Sequence, residues 1–467
     1  MQVTVSNTLT ISEPTKEVED WCRKELTIDN PDFIKKLRMG FWTGNTPEKL
    51  YLYEKHGDDL ILPFGMLKRL PDCITKHATF VSAFKPPQSV FYGEREVSLY
   101  DYQKDAVRGV YEAKYGILQS AAGSGKTQIG IALVQEFKER ALWLTHTLDL
   151  LKQSKTRAEQ YLDNDLIGTI TEGKVHIGKG ITFATIQTMC KLDLNQYKDM
   201  WDVIIVDECH RVAGTPTAMT QFYKVLNGLA ARHKIGLSAT VHRADGMITA
   251  TYALLGQIVY NVPDEALEDK IMRVGIYPVG TNTTISRECL NTDGTLNYAR
   301  LINWLCADYE RTRLIVSCIE ENEGRPSLIL SDRLEHLHWL METLPDRMKK
   351  DAVMVSGKMV SKTGKAEREQ AMEDMRTGKK KYLFATYSLA KEGLDIPCLE
   401  RLYLATPQKD YAIITQSIGR IARTCPGKED PIAYDFVDNI AYLMKAYKKR
   451  CTTYRKNKCY FVEEDDQ

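Results

Sequence analysis

The chain has 467 residues, room for about three domains, and its 43% hydrophobic and 27% charged residues are the mixture of a globular protein. That balance excludes collagen-like, mucin-like and wholly disordered chains. Lys+Arg 63 against Asp+Glu 62 leave a formal net charge of +1, so overall charge neither favours nor opposes a polyanionic partner.

Residues 1–95 open the chain as an N-terminal accessory domain, with no alternation of strands and helices. They carry a Gly40-Phe41-Trp42-Thr43-Gly44 turn and an alternating Leu50-Tyr51-Leu52-Tyr53 run. The start is polar and acidic, unlike a secretory signal, and no apolar run approaches the roughly 20 residues of a membrane span. The eleven scattered cysteines never form C-x-x-C and read as reduced thiols of a cytoplasmic protein. FKPPQSVFYG (84–93) reads as a linker.

Two α/β units follow, 96–262 and 263–467. In the first, GILQS (116–120), ALWLT (141–145), ITFAT (181–185), WDVIIVDE (201–208) and HKIGLSAT (233–240) are short apolar runs, and 126–137 has helical spacing. In the second, PSLILS (326–331), DAVMVS (351–356), KYLFAT (381–386), RLYLAT (401–406) and IAYDFV (432–437) repeat the rhythm. Continuous apolar runs separated by helices predict parallel sheets buried on both faces. The joint is expected near 256–270, where Gly256 and Pro263 break the pattern. The polar stretch 278–298 reads as a loop or hairpin, and the end as a helical tail.

The most specific local signal is Ser120-Ala121-Ala122-Gly123-Ser124-Gly125-Lys126-Thr127, between a strand and a helix. Small residues let a loop wrap phosphates with its backbone N–H groups, and the helix N-terminus favours the negative charge. Lys126 would reach the β/γ-phosphates and the Thr127 hydroxyl would sit on Mg²⁺. Ser120 stands where the full phosphate-loop pattern has its first glycine. Asp207 and Glu208 end an apolar strand, where ligands gather in open α/β sheets. Asp207 can hold Mg²⁺ and Glu208 can activate water, although two acids can also simply cap a strand. His210, seen alone, reads as a satisfied loop histidine.

In order, these segments resemble superfamily 2 helicases and translocases, with two tandem RecA-like domains, over about 98–436. Tyr102 and Gln103 look like the adenine-reading element, with Tyr100 where relatives often carry a basic residue. Ser120–Thr127 resembles motif I, and Asp207-Glu208-Cys209-His210 is similar to a DExH motif II. Ser238-Ala239-Thr240 matches motif III. Thr145 lies in a motif Ia-like segment, and Gln187 and Thr188 lie in the next strand-binding motif. Thr386, Gly393 and Asp395 fall in a motif V-like segment. Gln416, Arg420 and Arg423 form a motif VI pattern whose spacing places both guanidiniums on one helix face.

The resemblance implies ATP and Mg²⁺ as cofactors, with Lys126, Asp207, Glu208, His210, Gln416, Arg420 and Arg423 as catalytic residues. Tyr102, Gln103, 122–127, Gly393 and Asp395 would contact nucleotide. Thr145, Gln187, Thr188, Arg243 and Thr386 would contact nucleic acid. The string S-A-T-x-x-R-x-D-G, which contains Arg243, resembles the branch of the xeroderma-pigmentosum group B translocase and phage UvsW-type helicases. It implies a DNA helicase or translocase, a monomeric motor acting on single-stranded, duplex or branched DNA in bacterial or phage-infected cytoplasm, with the accessory domain 1–95 recognising DNA structure. RNA unwinding, or nucleoprotein remodelling without strand separation, is the alternative. The C-terminal Lys448, Lys449, Arg450, Arg455, Lys456 and Lys458, interleaved with Tyr447, Tyr454 and Tyr460, suit either a nucleic-acid patch or a solvated helix.

Overall fold

The computed structural model describes residues 1–121, 123–212, 216–239, 247–267, 271–356, 359, 362–391, 394 and 396–462. They form two compact units, Met1–Ala121 with Gly125–Pro263, and a second from Asp264 onward. No described helix is long and apolar enough to cross a membrane.

The first unit is built on an eight-stranded sheet. Its spatial order is Lys174–His176, Ile167–Thr171, Ile181–Thr185, Ala141–Thr145, Val203–Asp207, His233–Ser238, Gly116–Gln119 and Ile258–Asn261. Every pairing is parallel except that of the edge strand Lys174–His176. The central strands are buried along their whole length, as their unbroken apolar runs require. Helix Lys126–Phe137 buries Ile129, Ile131, Leu133 and Val134, so it is apolar almost all round and belongs inside the layer.

Residues 1–82 form a five-stranded sheet in the order Glu54–His56, Asp59–Pro63, Thr8–Ser12, Gln2–Val5 and Thr79–Ser82. Its core of Val3, Leu9, Ile11, Val18, Leu60 and Leu62 continues into Met219, Met247, Ala250 and Ala253 of the domain built on the eight-stranded sheet. The accessory sheet therefore shares a core with that domain. The backbones meet closely at Gly65, where an added Cβ would lie 2.4 Å from the Gly256 nitrogen. The segment 84–93 differs from a free linker. Tyr92 is buried, its hydroxyl donates to the Glu139 carbonyl at 2.8 Å, and the Gln88 N–H donates to Asp202 Oδ2 at 3.0 Å. Its aromatic ring fills the space left open by Gly180, where a Cβ would meet the ring at 2.7 Å.

Lys234 fastens the same junction. It is fully buried, and its Nζ donates to Leu226 O at 2.6 Å and Asn7 O at 2.9 Å. Burial pushes its ammonium down to about 7 from an ordinary 10.5. Between those values the unfolded chain holds the proton that the fold has released. Stability should therefore rise with pH across that window, by at most about 1.4 kcal/mol per pH unit. Denaturant midpoints at pH 7 and pH 9 should separate for the native chain and converge for Lys234→Met. An equal separation in the variant would assign the slope to other groups.

The second unit carries a seven-stranded, wholly parallel sheet. The order is Ala352–Val355, Tyr382–Thr386, Ser327–Ser331, Arg401–Leu404, Ile432–Asp438, Gly275–Thr281 and Tyr460–Phe461. The polar stretch expected as a loop begins inside the strand Gly275–Thr281, which pairs with Ile432–Asp438 over seven positions. A short hairpin follows, bridged between Leu290 and Leu296. The C-terminal helix Ala441–Lys456 is no free tail. Arg450 Nε donates to Asp435 Oδ2 at 2.8 Å, and the Tyr454 hydroxyl donates to the same oxygen at 2.7 Å, all three residues buried. The basic and aromatic cluster of this helix is thus divided, because a buried carboxylate claims Arg450 and Tyr454.

Candidate functional site

The sequence places its chemistry at the carboxyl ends of the first sheet's central strands. Gly116–Gln119 leads into the loop before helix Lys126–Phe137, whose N-cap Gly125 has φ +79, with Gly123 at φ +86. Both are left-handed conformations that a side chain would strain, which explains glycine at these positions. Gln103 packs on this turn, since a Cβ at Gly125 would lie 2.4 Å from its amide nitrogen. Gln103 Oε1 also accepts from the Tyr100 N–H at 3.0 Å, anchoring helix Asp101–Ala113, and Tyr100 stacks on Tyr102 with ring centroids 5.9 Å apart. Tyr102 and Gln103 are thereby fixed to the loop that precedes helix Lys126–Phe137.

Lys126 is buried, and its Nζ donates to the Ser120 and Ala121 carbonyls, each at 3.2 Å. The ammonium is folded over the loop it would share with phosphate. Asp207 ends its strand inside the protein, with Oδ2 accepting from Ser154 Oγ at 3.2 Å and Oδ1 from the Glu208 N–H at 3.0 Å. Burial, reinforced by the Glu208 charge, raises its carboxyl to about 6, while Lys126 and Ser154 pull it the other way. A divalent cation would relieve that desolvation. The hydroxyl of Thr127 and the Asp207 carboxylate are hard oxygen donors that suit Mg²⁺. Among the described residues no cluster of three His, Cys, Asp or Glu forms a metal cage. Magnesium characteristically uses one or two protein oxygens beside phosphate and water.

Glu208 has φ +49, an uncommon conformation for a residue with a side chain. Such strain costs on the order of 1–3 kcal/mol and concentrates at functional sites. His210 is more than a loop filler. Its Nδ1 lies 3.0 Å from Ser238 Oγ and 3.2 Å from Glu208 Oε2, linking the acid pair to the neighbouring strand end. Ser154, on helix Leu148–Glu159, is the contact that sequence reasoning missed, because nothing in its spacing marks a serine 53 residues from its partner.

Thr145 does not offer its hydroxyl outward. It is fully buried and donates to Thr147 O at 3.0 Å, a local bond that competes with any outside partner. Gln187 Nε2 donates to His146 O at 2.8 Å, and Thr188 lies 2.9 Å from Thr185 Oγ1; both residues are half-buried. In the second unit, Thr386 is half-buried with its hydroxyl 2.9 Å from Ser388 Oγ. It lines a cavity of about 850 Å³ with Asn303, Asp332, Arg333, Ser356 and Ser388. That cavity opens at the carboxyl ends of three parallel strands. Asp332 and Arg333 follow PSLILS directly, so the strand-end argument that found Asp207 and Glu208 could have found them too.

The arginine pair needs a correction. Helix Tyr411–Ile421 carries Arg420, but Ala422 is its C-cap and Arg423 forms an extended bridge with Ile271, beyond the helix. The two guanidiniums therefore do not share a helix face. Arg420 donates to Ala390 O and Leu394 O, both at 3.1 Å, which ties it to the preceding segment. Pro426 discourages helix at Cys425, and Lys428 takes the terminal carbonyls, Ile421 O at 2.5 Å and Arg423 O at 2.7 Å. Gln416 is buried, and its Oε1 finds no hydrogen-bond partner among the described residues. Ala122, Arg243, Gly393 and Asp395 lie outside the described residues.

Residues 96–243 match the family model of the type III restriction enzyme res subunit, and residues 310–425 match that of the helicase conserved C-terminal domain. An Acanthamoeba polyphaga mimivirus protein, provisionally named an ATP-dependent RNA helicase, is 27% identical over 77% of this chain and 67% of its own. The DNA 3′-5′ translocase XPB2 of Sulfurisphaera tokodaii is 26% identical over 70% of this chain and 79% of its own. The solved structure of S. cerevisiae Dbp5 bound to RNA and ADP BeF3 aligns with a TM-score of 0.55 at 16% identity. It covers 80% of this chain and 96% of that one, a likeness of fold.

Proposed function

We propose that this chain, which belongs to the superfamily 2 helicases and is an ATP-hydrolysing, nucleic-acid-dependent enzyme of two tandem RecA-like domains, moves along DNA and unwinds or remodels duplex or branched forms of it. The observation that carries this reading is the convergence of Lys126, Asp207, Glu208 and His210 around one group of strand ends. In the proposal Tyr102 and Gln103 hold adenine, and the loop 122–127 holds the phosphates. Thr127 and Asp207 would hold Mg²⁺, which neutralises phosphate charge when bound. Glu208 orients and deprotonates the attacking water, with His210 keeping its carboxylate in place. Gln416, Arg420, Arg423, Gly393 and Asp395 form the second domain's contribution, in which Arg423 neutralises charge on the transferring phosphoryl group.

In the proposal the cavity at Thr386, where Arg333, Ser356 and Ser388 offer donors, grips phosphates without reading sequence; Gln187, Thr188 and Arg243 form a second such surface in the first domain. Alternate tightening of two such surfaces would convert hydrolysis into movement. The test is ATP turnover on single-stranded, duplex and forked DNA and on the matching RNAs. Stimulation by DNA over RNA supports the reading, and the reverse selects the RNA activity named for the mimivirus relative. Forked-duplex separation, set against displacement of a bound protein, distinguishes an unwinding motor from a remodeller.

Lys428 should matter although no motif marks it. It holds the carbonyls on either side of the Arg423 turn, and burial lowers its ammonium to about 8. Lys428→Met is expected to reduce single-turnover hydrolysis by about tenfold, a loss of one or two charge-assisted hydrogen bonds. ATP affinity should stay within about twofold. In the native chain this contribution should fade above pH 8 as the proton is lost, and an identical pH profile in the variant would contradict the role.

A further inference from the structure

One part of the accessory domain plays no role in the motor as described. The excursion 27–51 leaves the five-stranded sheet as its own small unit. Strand Thr27–Asp29 pairs antiparallel with Lys49–Tyr51, and helix Pro31–Arg38 with the turn after it projects between them. The helix has no buried residue. Leu37 is 64% exposed, Phe41 62%, Trp42 87% and Tyr51 60%. Water disfavours so much clustered apolar surface, and patches of this kind mark interaction sites.

The excursion is nonetheless held in shape. Asn30, itself buried, caps the helix by accepting from the Asp32 N–H and donates to Pro47 O at 2.8 Å. Lys36 Nζ donates to Thr46 Oγ1 at 2.7 Å, and the Phe41 N–H donates to Lys36 O at 2.9 Å. The Trp42 ring lies against Gly44, which has φ +51 and where an added Cβ would meet the ring at 2.9 Å. The indole is thus presented outward on a fixed platform. The excursion 27–51 carries Lys35, Lys36, Arg38 and Lys49 against Asp29, Asp32 and Glu48; Lys49 pairs with Asp29, and Lys35, Lys36 and Arg38 gather in the last turn of the helix, next to Phe41 and Trp42.

We propose that this excursion is a binding site for an unpaired nucleic-acid strand, with Trp42 and Phe41 stacking on exposed bases and Lys35 and Arg38 neutralising the adjoining phosphates. Projecting rings beside cations are the combination that binds single strands without reading sequence. In a duplex the base faces are already stacked and closed to such rings. A charged bilayer would satisfy the cations as well. However, the helix of eight residues is only about 12 Å long and offers little apolar face for insertion. The site rests on the reading of the chain as a nucleic-acid motor. It would let the accessory domain hold the single-stranded arm of a branch while the motor engages the duplex.

The test measures binding of the full chain, without ATP, to a fluorescent fork with a single-stranded arm and to a blunt duplex of equal length. The native chain should prefer the fork. F41A/W42A should lower fork affinity by about tenfold, the effect of losing one base–aromatic stack, and leave duplex affinity and duplex-stimulated ATP turnover unchanged. W42F should retain most of the preference, and matching melting curves would show that the variants fold. An unchanged fork-to-duplex ratio in F41A/W42A would overturn the proposal. So would sensitivity of the double variant confined to vesicles of phosphatidylcholine and phosphatidylserine. If no nucleic acid raises ATP turnover in the native chain, the motor reading fails, and fork binding dependent on Trp42 still decides this site by itself.

Discussion

Glu208→Gln is expected to lower ATP turnover by about 10²–10⁴-fold, the usual contribution of a positioned general base. The substitution keeps the shape of the side chain and removes only its ability to accept a proton. Glu208 also raises the Asp207 carboxyl through like charge. Neutralising it should therefore leave Asp207 more readily ionised, and Mg²⁺-dependent nucleotide binding should be retained or tightened. Nucleic-acid affinity should not change, because in the proposal the acid pair acts on the phosphates and water and makes no contact with the strand. Single-turnover hydrolysis together with titration of a fluorescent ATP analogue checks both halves. Near-native turnover in the variant would remove Glu208 from the chemistry, and loss of binding would make it a structural residue.

Arg423→Ala should be the second large effect, about 10³–10⁵-fold in hydrolysis, if it supplies the charge that the transferring phosphoryl group develops. ADP affinity should hardly move, whereas affinity for ADP with beryllium fluoride should fall. Arg420→Ala should behave differently. Arg420 donates to Ala390 O and Leu394 O, so its loss leaves two carbonyls without those donors and should loosen the second domain as well as slow turnover. A lower melting temperature for Arg420→Ala than for Arg423→Ala would separate the two roles. Equal loss of ADP binding in Arg423→Ala would argue against a transition-state role.

Much of this molecule was legible from residue order because parallel sheets write themselves as short unbroken apolar runs. ALWLT and ITFAT coincide with strands Ala141–Thr145 and Ile181–Thr185, and the spacing over 126–137 coincides with helix Lys126–Phe137. Strand Gly275–Thr281 was hidden because Pro278, Gly280 and Thr281 weaken its apolar signal, and pairing with Ile432–Asp438 supplies what local preference lacks. The segment 84–93 reads as a linker because the adjacent Pro86 and Pro87 break any helical or strand period, while Tyr92 fastens it down through its hydroxyl. The arginines show the limit of spacing arguments. Three residues apart places two side chains on one face only while the helix lasts, and this helix ends between them. Ser154 and the buried Lys234 reach partners far along the chain, Asp207 and Asn7, and Lys428 gathers carbonyls across a turn, which no periodicity encodes.

In the proposed cycle both domains act on ATP at every turnover. Dyes introduced as unnatural amino acids at exposed Phe91 in the first unit and Tyr309 in the second would report this by single-molecule energy transfer. Addition of ADP with beryllium fluoride and DNA should shift the distribution to one narrow population, and its replacement by ADP should return it, with Arg423→Ala abolishing the shift. A distance that ignores nucleotide while ATP is being hydrolysed would contradict the coupled two-domain motor.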